Sequence, residues 1–271
     1  MSRAARHPSL RAGALLVAGI ALAAALSLVW TPYPPADIDV AQRLLPSSPA
    51  HWLGTDPLGR DIVSQLMAGA RASILAGAVA VGAGLLAGVA LGLAAAAAGG
   101  WLDQLLMRAA DFLFAFPAIL SAILLAAWLG PGLASAILAI AILNVAVFAR
   151  IARAAAASVY PREFILAAQL AGSPAWRIAV AHVLPNIAAV LIVQVSIQFA
   201  TAILAEAALA YLGLGAQPPQ ASWGRMLSEA QAHLFQAPAL AIYPGCAIAM
   251  AVLGLNLLGD GLRDVLDVRE A

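Results

Sequence analysis

Arg162–Asn186, REFILAAQLAGSPAWRIAVAHVLPN, is the stretch on which the reading of this chain turns. It carries two arginines, a glutamate and a histidine inside a sequence that is 63% hydrophobic and only 10% charged. Glu163 follows Pro161 and opens a helical run, where an acid in the first turn suits the helix dipole. Phe164, Ala167, Ala168 and Ala171 form a narrow small-residue stripe at helical spacing. Gly172 then fits a position just past a helix end that needs positive φ. Ser173 is a good N-cap and Pro174 a good first residue for a second helix. That helix carries Trp176, Val180 and Val183, and Leu184-Pro185 ends it. The spacing therefore predicts two short helices meeting at an angle outside the bilayer. Two readings of this pair stay open: a face that docks on a partner protein, or an amphipathic pair lying on lipid headgroups.

Outward from this segment the chain is dominated by apolar runs. A mean hydropathy of +0.94 over 271 residues makes the bilayer its solvent. Six helices of spanning length are predicted, at 12–30, 72–98, 105–128, 133–150, 187–210 and 239–259. The first follows Arg3, Arg6 and Arg11 and ends at Trp30. It exceeds a signal-peptide core and lacks an A-x-A site, so it is read as a retained span. Gly82, Gly84, Gly88 and Gly92 give the second span a face for close helix contact. The fold class is an all-α polytopic membrane protein. Its parts are residues 1–30 (N-terminus and first span), an external loop 31–71, a five-helix core 72–259 and a tail 260–271. The core includes the polar loop 151–186 and a second external loop, 211–238.

All fourteen basic residues are arginine. With the N-terminus inside, Arg3, Arg6, Arg11, Arg108, Arg150, Arg153, Arg162, Arg177, Arg263 and Arg269 fall on the cytoplasmic side. Arg43, Arg60, Arg71 and Arg225 fall outside, in keeping with the positive-inside rule. Both termini are then cytoplasmic, and so is Arg162–Asn186.

Several chemistries are excluded. A chain without lysine has no P-loop, so any ATP is hydrolysed by another chain. The four histidines are too scattered for a metal site, and no nucleophile elbow or H-E-x-x-H pair occurs. A net charge of +1 gives no reason to expect a nucleic-acid partner. Cys246 lies in an apolar run and is read as a small core residue. The chain is read as a non-enzyme that binds no metal and no cofactor. Inside the spans, the polar residues Asn144, Gln194, Gln198, Glu206 and Asn256 are candidates to line a pathway; interhelical hydrogen bonding is the competing account. Glu206 lies near the outer end of its span, and Asp111 is placed to pair with Arg108. In HWLGTDPLGRD (51–61), Asp56 and Asp61 flank Arg60 in what reads as a self-satisfied turn, with contact to an external partner protein as the second reading. Residues 211–238 are expected to fold back over the cavity, and Gly259–Asp264 to terminate the last span.

Ala167-Ala168, three residues, Gly172 and then Leu184-Pro185 resemble the EAA loop of ABC importer permeases. Leu166 stands where that motif has its glutamate, and Glu163 lies one turn earlier. HWLGTDPLGRD, EAALAYLGLGAQPPQASWGRML (206–227) and NLLGDGLRDVLD (256–267) are similar to the peptide/nickel group, specifically to the second permease of its heterodimeric pair. The resemblance covers the chain from about residue 31 onward. It implies a type I ABC importer permease in a bacterial inner membrane. Glu163, Phe164, Ala167, Ala168, Gly172, Trp176, Leu184 and Pro185 would form a coupling helix seated on an ATPase subunit. It further implies a homologous second permease, two ATPase subunits that hold ATP and Mg²⁺, and an extracytoplasmic binding protein. The substrate expected is a di- or oligopeptide, with nickel complexes, glutathione or opines as alternatives within the group. A self-sufficient secondary transporter or channel is the rival of a different class, and it predicts deep charges and an inverted repeat.

Overall fold

Gly84, Gly88 and Gly92 recur every fourth residue and set the centre of the molecule. The computed structural model describes residues 8–267. Arg3, Arg6 and Arg269, used above for orientation, lie outside the described residues. Among the described residues, α1 spans Pro8–Leu26, α2 Ile62–Ala98, α3 Gly100–Ala115, α4 Ala118–Leu129 and α5 Leu133–Val159. They are followed by α6 Glu163–Leu170, α7 Ala175–Ile178, α8 Leu184–Tyr211, α9 Trp223–Ala230 and α10 Ala239–Asp267. The glycine face of α2 lies directly on α5. A Cβ at Gly84 would stand 2.3 Å from the Cβ of Asn144, and one at Gly92 2.4 Å from the Ala149 carbonyl. Such backbone approach is how helices gain packing energy where lipid gives no hydrophobic drive. Residue numbers rise together along this seam, so α2 and α5 run parallel as one body. A second seam joins α1 to α10 antiparallel: Gly13 abuts Leu258 and Gly261 abuts Leu10.

Among the described residues, five helices are long and apolar enough to cross a membrane, and α3 with α4, bent by 85° at their junction, count as a sixth if the pair is one broken span. The run expected as one helix at 105–128 is split by Pro117, which cannot donate to the ladder and disfavours helix at the residue before it. Other boundaries also move. α2 starts at Ile62 rather than residue 72, because Asp61 caps it by accepting from the Ser64 amide at 2.8 Å. α5 continues past residue 150 to Val159, and α10 runs through Gly259–Asp264 instead of ending there. The glycines at 259 and 261 serve helix contact, against Ser196 and Leu10. Nor does Leu184-Pro185 end a helix: Ala175–Tyr211 is one apolar helix with a π turn at Ala179–Val183. Cys246 is exposed on the outside of α10 rather than in the core.

At the N-terminal end of α2, the loop 31–61 closes into a compact knot. Asp56 accepts from the amides of Leu58 and Arg60, from Arg60 Nε at 2.6 Å and from Gln65 Nε2 at 2.8 Å. Arg60 also reaches Glu229 of α9, which in turn accepts from Arg225 Nε at 2.7 Å. His51 contacts Asp61 at 3.0 Å. The knot and α9 are thus tied together, and Trp223 Nε1 donates to the Leu66 carbonyl of α2 at 3.0 Å.

Candidate functional site

The elbow α6–α7 hangs from the C-terminal end of α5, opposite the knot. Its turn is a Schellman closure: Gly172 N–H bonds the Gln169 carbonyl and Ser173 N–H the Ala168 carbonyl. Gly172 has φ of 78°, as the sequence required. The second helix begins one residue later than expected, with Pro174 in the cap position. Ile165, Ile178 and Val183 are buried and pack with Val159 and Ile187, pinning the elbow to α5 and α8. None of the three was read from the sequence as an anchor. A helix too short to show full periods carries no legible inner face.

The residues expected to dock point the other way. Trp176 is 70% exposed; Phe164 and Ala167 are exposed too, Ala168 is half-buried, and Leu184 lies half-buried beside exposed Pro185. Leu166 and Leu170, not singled out as docking residues, are also exposed, Leu170 to 90%. Trp176 therefore does not pack back on the elbow itself. Glu163 is exposed, and none of the ion pairs among the described residues involves it. Behind the elbow, the arginines of α5 are engaged within the chain rather than free for a partner. Arg153 pairs with Asp103 of α3, its Nε at 3.0 Å from Oδ1. Arg150 lies 3.6 Å from Asp111 and 4.2 Å over the Phe114 ring. Asp111 thus faces Arg150 and not Arg108, because the α3–α4 bend lays α3 across α5. These contacts tie α3 to α5.

A groove of about 570 Å³ runs between α5 and α8 and is bounded by the α3–α4 bend. Phe114, Phe116, Asn144, Gln198, Thr201 and Leu209 are among its lining residues, none of which is charged. Asn144 donates from Nδ2 to the Ile140 carbonyl at 2.9 Å, and its buried Oδ1 has no hydrogen-bond partner among the described residues. The structure brings Asn144 and Gln198 together on this groove. Gln194 is half-buried and does not line it, and Asn256 is exposed on α10. Glu206 does not line the groove; it is fully buried between α8 and α2, where Ser73 Oγ donates to its Oε2 at 2.8 Å and Ser222 lies alongside. None of the ion pairs among the described residues involves it. Thr201, one turn beyond Gln198, was missed although it extends the same polar stripe. Phe114 and Phe116 were missed for want of the bend that brings them to the edge of the groove. Within the loop 211–238, α9 packs on α2, α8 and α10, with Gly224 against the Ala207 backbone, while residues 217–220 lie beside residues 129–135, and the groove's lining includes no residue of this loop.

Residues 84–270, more than half of the chain, match the family model described as binding-protein-dependent transport system inner membrane component. The chain is 44% identical to a dipeptide transport system permease protein of Alkalihalophilus pseudofirmus, over 94% of this chain and 84% of that one. It is 45% identical to a glutathione transport system permease protein of Pectobacterium atrosepticum, over 82% and 73%. A putative peptide transport system permease protein of Brucella abortus is 42% identical over 98% and 90%. A glycine-closed elbow on a multi-pass helical body, the matched residues and these identities agree: this chain belongs to the family of binding-protein-dependent transport system inner membrane components.

Proposed function

We propose that this chain is one permease subunit of a peptide importer, set in a bacterial inner membrane with both termini and the elbow in the cytoplasm. The observation that carries the reading is the elbow: apolar side chains turned outward from a structure pinned to α5 and α8. An apolar face with no lipid core to cover it suits a cleft in an ATPase subunit, where ATP and Mg²⁺ are held. Closure of the ATPase pair shifts the permease between inward and outward states only through its different contacts with the two. The α2–α5 seam and the Arg153–Asp103 pair carry that displacement into the spans as one rigid body. The groove between α5 and α8 is the chain's half of the pathway, completed by a homologous second permease. Its uncharged lining suits neutral peptide backbones, released by a binding protein at the knot end. Relatives named for dipeptide and peptide transport support this substrate class. Those named for glutathione, itself a short peptide, make it the second reading.

Trp176→Ala tests the reading. A buried aromatic anchor is worth about 2 kcal/mol, or roughly thirtyfold in affinity. The variant is expected to insert normally and to lose ATPase subunits during purification of the complex. Unchanged subunit stoichiometry would remove the elbow as the docking surface. A panel of dipeptides and glutathione offered to the partner binding protein separates the two substrate readings.

A further inference from the structure

In a regular helix of 3.6 residues per turn, Trp176 and Val180 fall within about 20° of Ile187, while Ile178 falls about 180° away. Ile187 and Val183 are buried against α5. Regular helix geometry would therefore bury Trp176 and Val180 as well and turn Ile178 outward. The observed burial is the reverse: Val180 is 56% exposed and Trp176 more so, while Ile178 is 3% exposed. The cause lies in the π turn. Leu184 N–H reaches back five residues to the Ala179 carbonyl instead of four to Val180. A π turn acts as one inserted residue and rotates everything before it by about 100°. Pro185 stands where such a turn is needed, since it has no N–H for the Ala181 carbonyl and its ring would clash with that oxygen. The Asn186 side chain bonds the next carbonyl, that of His182, at 2.7 Å.

We infer that Pro185 is a positioning residue for coupling: it sets the π turn that rotates Trp176 and Val180 out of the core and Ile178 in. The inference rests on the elbow being the ATPase-docking surface. Proline is here not a terminator of the helix but the device that decides which face of the elbow the partner meets. Pro185→Ala restores the missing donor and lets the helix return to regular register. The face presented then carries Ile178 in place of Trp176 and Val180.

The test uses the assembled transporter with a short diazirine-bearing amino acid placed at position 176, 178 or 180. In the unaltered background, positions 176 and 180 should cross-link to an ATPase subunit and position 178 only within the chain. In Pro185→Ala the pattern should reverse, and substrate stimulation of ATP hydrolysis should fall several-fold at unchanged membrane level. Deleting Ala181 from that variant removes one residue, so Ile178 regains its inward face without a π turn; coupling should return. Such a rescue separates register from general damage to the fold. Cross-links from 176 and 180 that persist unchanged in Pro185→Ala would overturn the inference while leaving the docking surface intact. Failure of the deletion to restore coupling would also overturn it. Absence of any inter-subunit cross-link from 176 or 180 in the unaltered background would instead sink the docking reading itself.

Discussion

The two ends of this molecule are held together by different physics. At the knot, Asp56, Arg60, Asp61 and Glu229 are drawn into contact, and each charge is answered by an opposite charge or a hydrogen bond. At the elbow, a few buried apolar side chains do the fastening, and large apolar residues remain uncovered. A satisfied polar network in a dry setting is stiff, since any displacement leaves a buried charge unpaired. An apolar attachment is non-directional and tolerates small rotations. The knot therefore acts as a fixed strut that sets α9 against α2, whereas the elbow, on the function proposed above, is a lever completed by another protein.

Asp56→Ala strikes this contrast hardest. It strips buried Arg60 of one of its two carboxylates and Gln65 of its acceptor, at a cost of about 3–5 kcal/mol. Thermal unfolding of the solubilised chain should show a large loss of stability; a change no greater than that of a surface substitution would mean the knot is not a strut. At the elbow, Gly172→Val costs about 1–2 kcal/mol from the left-handed conformation alone, because a Cβ there meets no neighbour within 4 Å. Membrane insertion should be normal while ATP hydrolysis loses its dependence on substrate, and intact coupling would count against the closed turn as part of the lever. Glu163→Gln is expected to do least, within about 0.5 kcal/mol in stability, since its carboxylate forms no ion pair among the described residues. ATPase retention read alongside it sharpens the comparison. A many-fold loss there would show that Glu163 has taken over the task of the motif glutamate replaced by Leu166.

Much of the elbow was legible because its signals are local. Gly172 needs no partner to demand positive φ, and its spacing from Ala167-Ala168 is a property of the chain alone. The glycine face of α2 could be read as a contact surface for the same reason. The opposite holds for Glu206, whose neighbours Ser73 and Ser222 come from distant parts of the sequence. Asp111 looked toward Arg108 one turn away, yet it meets Arg150 because Pro117 bends the third crossing and lays α3 across α5.

Taken alone, the sequence determined that this is a lysine-free, multi-span helical protein with a glycine-hinged polar elbow, because composition, hydropathy and turn chemistry act within a few residues. Tertiary structure alone decided which faces those helices turn. Trp176, Val180, Val183 and Ile187 form a single stripe on a regular helix, but burial of Ile178 through the π turn before Pro185 divides it. A one-residue change of helical register is invisible to periodicity, and it is settled only where two packed surfaces must fit.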